Sequence, residues 1–232
     1  MKTANSVFLM ILLAIAGACN KNNHHSDTPL PPKDSIRIVC SGLNFPWEII
    51  WGPDDHIWMT ERGGRISRVD TGTGNVQPLL TISEVKSIGE GGLLGMVLHP
   101  DFGQQPYVYV VYDYDNGNGY TERVVRYTYE NGQLGSPKTL IDNIAAAGNH
   151  NGSRLLIDKN DPSKLWISTG DATQGDNAQQ PGKPDGEILW INTYGSIPAD
   201  NPVSRIALWC LQHRNPQGLV TASGLLYKAE RG

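Results

Sequence analysis

Two chemically active side chains stand just outside a pair of short apolar runs. The runs are residues 155–157 and 165–168, and the segment between them is rich in Asp, Asn, Pro and Ser. This pattern predicts two antiparallel strands joined by a turn. Because neighbouring antiparallel strands run in opposite directions, His150 before the first strand and Asp171 after the second would lie at the same end of the hairpin.

A histidine beside a carboxylate is an arrangement suited to general-base catalysis. The carboxylate holds the imidazole in one tautomer, and the neutral ring then accepts a proton at its other nitrogen. The simpler alternative gives both residues structural roles, in which His150 caps a loop and Asp171 closes a turn. Both alternatives fit the pair taken alone.

Composition indicates a turn-rich globular protein. Charged residues make up 18% of the 232 residues and hydrophobic residues 39%, while 26 glycines and 15 prolines favour many turns over long helices. The formal net charge is −4, and the sequence has no basic stripe. Because a surface that tracks phosphates needs an excess of positive charge, nucleic acid is not expected as a partner.

The first 35 residues predict an export signal and a tether. Residues 1–18 contain Lys2 and an apolar run that is too short to span a bilayer and suits a signal peptide. The run ends in Ala-Gly-Ala before Cys19 and so resembles a bacterial lipoprotein signal, in which the cysteine is lipidated; an ordinary signal peptide is the alternative. Residues 19–35 are polar and Pro-rich, which is typical of a linker. We therefore expect an exported lipoprotein of the bacterial cell envelope, facing the periplasm or the exterior, that contacts the membrane only through its lipid anchor.

Residues 36–232 predict one all-β unit. Short strand-like runs, the first at 36–40, alternate with turns, and no segment shows the 3.6-residue period of a helix. A weak repeat of a turn followed by an aromatic-bearing strand recurs at 51–61, 157–168 and 220–230, which predicts β-propeller blades. At about 40–50 residues a blade, this part of the chain would form roughly four blades.

Two cysteines follow the tether. Cys40 ends the run at 36–40, and Cys210 lies in another strand-like run at 206–211. The sequence gives no sign that their Cα atoms come within bridging distance. We therefore expect two buried free thiols rather than a disulfide.

Several stretches of the sequence together match the motifs of one family. They are residues 89–102 (which begin Gly-Glu-Gly-Gly), Asn149-His150, Gly170-Asp171, 195–202 and 212–219. In this order they resemble the glucose/sorbosone dehydrogenases, which are soluble-type sugar dehydrogenases dependent on pyrroloquinoline quinone (PQQ). The resemblance runs from about Leu43 to the last residue. It implies a six-bladed β-propeller with the quinone over the mouth of the central channel.

The resemblance also implies roles for individual side chains. His150 is similar to the base that takes the proton of the anomeric hydroxyl while a hydride leaves the sugar carbon, and Asp171 to its partner. Arg214 is similar to the arginine that contacts the quinone carbonyl, where a fixed cation stabilises arriving negative charge. The other implied roles are cofactor contacts for Asn215 and Gln217 and sugar contacts for Glu90 and Asn149.

Two features qualify the match. Well-known glucose-oxidising members carry Gln and Asp where this sequence has Glu90 and Asn149. This difference questions a preference for glucose and does not change the predicted reaction type. The family also supplies backbone carbonyls to Ca²⁺ from a loop after a Glu-x-Gly run, since a hard cation prefers oxygen ligands. Here that run is 230–232, and Gly232, the matching carbonyl donor, is the last residue.

The resemblance therefore predicts PQQ-dependent oxidation of an aldose sugar at its anomeric carbon to the lactone, with Ca²⁺ as a second cofactor and an unidentified electron acceptor. The sequence would be the N-terminal part of such a domain, about four blades of six, and we expect this length alone to be inactive. Two alternatives stay open: a non-catalytic propeller lipoprotein that binds a sugar or protein partner, and a transition-metal site formed by His150, Asp171 and His213.

Overall fold

The computed structural model of the protein describes residues 36–180, 182–203 and 206–231. The fold described below is that of the compact unit Ile38–Gly232. In the described residues, regular structure is almost entirely β, with one 3-10 turn at Asn177–Gln179. No helix in these ranges is long and apolar enough to cross a membrane.

The strands form four antiparallel sheets in chain order. They are β1 (Pro46–Trp51), β2 (His56–Glu61), β3 (Arg65–Asp70), β4 (Val76–Thr81), β5 (Leu93–Leu98), β6 (Tyr107–Asp115), β7 (Tyr120–Glu130), β8 (Gln133–Ala145), β9 (Gly152–Asp158), β10 (Asp161–Thr169), β11 (Ile188–Asn192), β12 (Leu208–Cys210), β13 (Pro216–Ala222) and β14 (Leu225–Glu230). Strands β1–β4, β5–β8 and β9–β12 form four-stranded sheets, and β13 and β14 form a two-stranded sheet. Within each sheet, strands that are consecutive in sequence are hydrogen-bonded neighbours.

Strand β6 shows why the sheets stack face to face. Its sequence, Tyr-Val-Tyr-Val-Val-Tyr-Asp-Tyr-Asp, is rich in the β-branched and aromatic residues that favour strands. Successive side chains point to opposite faces, so Val110 packs in a core with Trp58 of β2, and Val111 packs in another with Ile167 of β10. Full burial of one such side chain stabilises the fold by about 1.5–3 kcal/mol. The second sheet is therefore buried on both faces.

A third core lies between the third sheet and the β13–β14 pair. Trp166 and Trp190 stack with ring centroids 5.2 Å apart, and Leu219 and Leu226 pack against them. Among the first strands of the sheets, β5 packs against β1 and β9, and β13 packs against β9. Four-stranded meanders stacked face to face, with their first strands side by side, are the blades of a β-propeller, as the sequence predicts.

Two expectations need correction. Residues 36–40 form no strand; Ile38 is 82% exposed, so its apolar side chain has no sheet face to pack against. Cys40 and Cys210, the cysteines in the described ranges, are free as expected but half-buried rather than buried. The Sγ atom of Cys210 lies 3.0 Å from Nε2 of His213, which gives the thiol a polar neighbour.

Candidate active site

The predicted site residues lie at one end of three adjacent sheets. Glu90 precedes β5, Asn149 and His150 precede β9, Arg214 and Asn215 precede β13, and Asp171 follows β10. In an antiparallel meander, the first strand starts and the second strand ends at the same end of the sheet. Because the first strands of neighbouring sheets pack side by side, the fold gathers these loops at a common end, which we call the mouth.

The β9–β10 hairpin builds the His150–Asp171 pair. Thr169 of β10 lies opposite Gly152 of β9. This register places His150, two residues before Gly152, beside Asp171, two residues after Thr169. Nδ1 of His150 is 3.0 Å from Oδ1 of Asp171, and the two side chains are only 15% and 10% exposed. The same Oδ1 accepts the backbone N–H of Thr173 at 2.8 Å, which fixes the carboxylate. The carboxylate favours the tautomer with the proton on Nδ1, so Nε2 is the nitrogen that can accept a proton.

The backbone at His150 is held in an unusual conformation. Its φ of 62° lies in the left-handed region, which non-glycine residues adopt at an energetic cost. Its carbonyl oxygen accepts the N–H of Ala172 at 3.1 Å. A Cβ on Gly170 would overlap this carbonyl group, so only glycine lets the two loops approach this closely. The surrounding chain therefore determines where the imidazole lies.

The side chain of Glu230 fixes the backbone at Arg214 and Asn215. The backbone N–H groups of both residues donate to Oε1 of Glu230, that of Asn215 at 3.2 Å. Asn215 is 1% exposed, and its Oδ1 accepts the N–H of Gly152 at 3.1 Å. Its Nδ2 is buried without an acceptor among the described residues. The Arg214 side chain is exposed, and its Nη1 donates to the carbonyl of Arg231 at 3.3 Å.

This donor set fits a ligand rich in acceptor oxygens. A buried amide N–H without a partner costs free energy that a bound carbonyl or carboxylate would recover. A cavity of about 190 Å³ lies next to Arg214 and is also lined by Asp171 and His213 among others. A larger cavity of about 320 Å³ is lined mainly by apolar residues, among them Leu140 of β8 and Leu189 of β11, and contains none of the predicted site residues. Polar donors, rather than cavity volume, therefore mark the candidate site.

Other predicted residues make weaker contacts at the mouth. Glu90 lies at its rim, where Oε1 accepts Nη1 of Arg231 at 2.8 Å in an exposed ion pair. Asn149 is exposed. Gln217 lies within β13, and its backbone carbonyl accepts Nε of Arg154 at 2.7 Å. The roles implied for these side chains stay predictions.

The predicted carbonyl ligand Gly232 and the predicted lipidation site Cys19 lie outside the described residues, as does the tether. Within the described ranges, no group of three or more His, Cys, Asp and Glu side chains is placed to hold a metal ion. This argues against the transition-metal site considered for His150, Asp171 and His213.

Sequence reasoning missed the residues that hold the loops of the mouth. Four side chains form hydrogen bonds with the backbone of these loops: Arg62, Asp113, Asn151 and Glu230. Asp113 had one usable signal, because it is a charged residue near the end of an otherwise apolar and aromatic run. A carboxylate in a buried strand needs hydrogen-bond partners, and these come from outside the strand.

Known proteins are similar to most of this chain. The family described as Glucose / Sorbosone dehydrogenase matches residues 43–232. Quinoprotein glucose dehydrogenase B of Acinetobacter calcoaceticus is 32% identical over 89% of this chain and 52% of its own length. Aldose sugar dehydrogenase YliI of Escherichia coli (strain K12) is 30% identical over 82% of this chain and 53% of its own length. The chain thus spans about half the length of these curated relatives.

Solved structures show the same likeness in three dimensions. The PQQ-bound form of aldose sugar dehydrogenase from Streptomyces coelicolor is 30% identical, with a TM-score of 0.78 over 85% of this chain and 59% of that one. The apo-form of the soluble aldose sugar dehydrogenase from Escherichia coli is 29% identical, with a TM-score of 0.76 over 84% of this chain and 60% of that one. Since the family match extends over residues 43–232, the chain belongs to the glucose/sorbosone dehydrogenase family.

Proposed function

We propose that the protein oxidises an aldose at its anomeric carbon to the lactone, with PQQ as cofactor and His150 as general base. The contact of 3.0 Å between His150 and Asp171 at the mouth carries this proposal. Relatives named as quinoprotein glucose dehydrogenase and aldose sugar dehydrogenase support it. When bound, the quinone supplies the electrophilic centre that accepts the hydride from the sugar.

His150 would act at its Nε2 atom. The proton of the anomeric hydroxyl moves to Nε2, while Nδ1–H stays hydrogen-bonded to Asp171. The carboxylate then stabilises the imidazolium that forms, as in other histidine–carboxylate pairs. Because both side chains are largely shielded from water, this attraction is screened less than it would be on the surface.

Residues just before β13 and at its start would hold the quinone. The guanidinium of Arg214, Nδ2 of Asn215 and the amide of Gln217 are donors suited to its carbonyl and carboxylate oxygens. We place Ca²⁺ at the same site, because carboxylate and carbonyl oxygens suit a hard cation, with the carbonyl of Gly232 as the ligand from this chain. Glu90 and Asn149 would face the sugar at the rim.

Turnover by the purified protein tests the proposed function. Because this chain spans about half the length of its curated relatives, turnover here and below is measured on the protein extended to their length. The protein is supplied with PQQ, Ca²⁺, an artificial electron acceptor and a panel of aldoses, and lactone formation is measured. We expect lactone only when PQQ is present. The competing function, a non-catalytic propeller, would bind a sugar in calorimetry and form no lactone, and that result would overturn the proposal.

Arg214→Ala is expected to weaken PQQ binding by about 10- to 150-fold. The substitution removes a charge-assisted hydrogen bond to the quinone, which is worth roughly 1.5–3 kcal/mol. Equilibrium titration of the apoprotein with PQQ measures the change without any turnover. The control is Arg68→Ala, because Arg68 lies in β3, pairs with Asp54 at 2.8 Å and has no role at the mouth. Equal affinities of the wild type and Arg214→Ala would remove Arg214 from the cofactor site.

We also propose that the protein is exported and lipid-anchored at Cys19, on the strength of the Ala-Gly-Ala-Cys sequence that ends its apolar N-terminal run. One acyl chain binds a bilayer only marginally, so firm anchoring needs the several chains that bacterial lipoproteins carry. Cys19→Ser is expected to move the protein from the membrane fraction to the soluble fraction. Unchanged fractionation on immunoblots would contradict lipidation at this residue.

A further inference from the structure

The loops that carry Glu90 and His150 meet at one buried carboxylate. Asp113, in β6, is 0% exposed. Its Oδ2 atom accepts hydrogen bonds from three donors: the backbone N–H of Gly92 at 2.8 Å, the hydroxyl of Tyr120 at 2.9 Å and Nδ2 of Asn151 at 3.2 Å. Gly92 belongs to the Glu90 loop, and Asn151 directly follows His150. One oxygen atom therefore joins both loops.

Asn151 braces the loop of the base. Its Oδ1 accepts the N–H of Ala147 at 2.9 Å, and its Nδ2 donates to the carbonyl of Ala147 at 2.9 Å. These two bonds close residues 147–151 into a ring, inside which His150 has its left-handed φ of 62°. Since Nδ2 also donates to Asp113, the carboxylate sets the orientation of the amide that holds this backbone.

The Glu90 loop is clamped from two sides. Arg62, just after β2, donates through Nε and Nη2 to the carbonyl of Gly91, at 3.2 and 3.0 Å. The N–H of Glu90 donates to the carbonyl of Gly148 in the His150 loop at 2.6 Å. A Cβ on Gly91 would overlap Oδ2 of Asp113, so the loop approaches the carboxylate as closely as a backbone can.

We propose that Asp113 is a positioning residue, which holds the base His150 and the sugar-facing Glu90 in one fixed relation by binding both of their loops. The inference rests on the proposed function for the roles of the two loops, whereas the coupling between them is a property of the fold. Burial raises the pKa of the Asp113 carboxyl to about 7. The hydrogen bonds to both loops go to its Oδ2 oxygen. Asparagine keeps that oxygen, and leucine removes it at similar volume.

Glu122 supplies the matched control. It lies directly opposite Asp113 in the β6–β7 register and is also 0% exposed. Its carboxylate accepts the hydroxyl of Ser153 in β9 and binds neither the Glu90 loop nor Asn151. Burial raises the pKa of this carboxyl as well. The same Ser153 hydroxyl lies 3.1 Å from the backbone carbonyl of Asn151. Glu122→Leu therefore removes a comparable buried acid and leaves in place all three groups that donate to Oδ2 of Asp113.

The experiment compares Asp113→Leu, Asp113→Asn and Glu122→Leu by amide hydrogen exchange of the protein and by steady-state kinetics with PQQ, Ca²⁺ and an aldose. In Asp113→Leu we expect faster exchange in residues 88–92 and 147–151 together, and a kcat about 10- to 100-fold lower, because a displacement of about 1 Å can cost 10²-fold. KM should change much less. Asp113→Asn should restore most of both losses, and Glu122→Leu should change neither.

Each contrary result is decisive. Faster exchange in one loop alone, or the same changes in Glu122→Leu, would overturn the coupling. Coupled exchange with an unchanged kcat would overturn the positioning role. If the wild type oxidises no aldose, the proposed function fails, and the exchange data still decide whether Asp113 joins the loops. If Asp113→Leu does not fold, Gly91→Ala, which inserts a methyl group against the same carboxylate oxygen, is judged by the same criteria.

Discussion

Replacing His150 with alanine is expected to lower aldose oxidation by about 10²- to 10⁴-fold, the usual loss when a general base is removed. Asp171, 3.0 Å from Nδ1, orients the imidazole, and the substitution removes the Nε2 atom that would accept the proton. Binding of PQQ should change much less, because we assign the quinone contacts to residues just before β13 and at its start. Steady-state kinetics and a PQQ titration on the same preparation separate the two effects.

His56 offers a control for this substitution. Its Nδ1 lies 2.6 Å from the carbonyl oxygen of Asp54 and 3.8 Å from the carboxylate of the same residue, so it is also a histidine beside an acid. It begins β2, at the end of its sheet away from the mouth. His56→Ala should leave turnover unchanged. Near-normal turnover of His150→Ala with PQQ and Ca²⁺ supplied would show that the base is elsewhere.

Gly170→Ala is expected to destabilise the protein by more than about 3 kcal/mol, beyond the usual 1–3 kcal/mol of overpacking. The added Cβ would overlap the carbonyl group of His150, and backbone atoms cannot move aside by changing rotamer. Both segments are also tied in place: the N–H of Gly170 donates to the carbonyl of Asn151 at 3.0 Å, and its carbonyl accepts the N–H of Gly186 at 2.7 Å. Denaturant unfolding measures the loss.

Gly103→Ala is the matched control, because nothing lies within 4 Å of a Cβ built on Gly103 and its φ is not in the left-handed region. A substitution on such an open surface typically changes the free energy of unfolding by less than about 0.5 kcal/mol. If Gly170→Ala and Gly103→Ala unfold at the same denaturant concentration, the close approach of the two loops is not a constraint on the fold.

The strands and the His150–Asp171 pair were predictable because both depend on local sequence. Alternation of apolar residues and turn-forming residues marks a strand and its ends within a few positions. A hairpin then brings the start of one strand to the end of the next without any information from the rest of the chain. The segment at 36–40 shows the limit, since it has the pattern of a strand and no neighbouring strand to pair with.

The bracing of the mouth was not predictable, because its partners are far apart in sequence. Asp113 binds Gly92 and Asn151 across separations of 21 and 38 residues, and Glu230 reaches back 15 residues to Asn215. No periodic pattern identifies such partners. They are set by the way one sheet stacks on the next.

For this protein, the sequence by itself determined the all-β class, most strand positions, the family motifs and the residues that can do chemistry, since each of these is written in neighbouring residues. Only the tertiary structure decided which loops meet and which polar atoms hold them there. Burial is the physical reason. Stacking the sheets places Asp113 and Asn215 out of reach of water, and a buried polar group must then find its hydrogen bonds wherever the packed chain provides them.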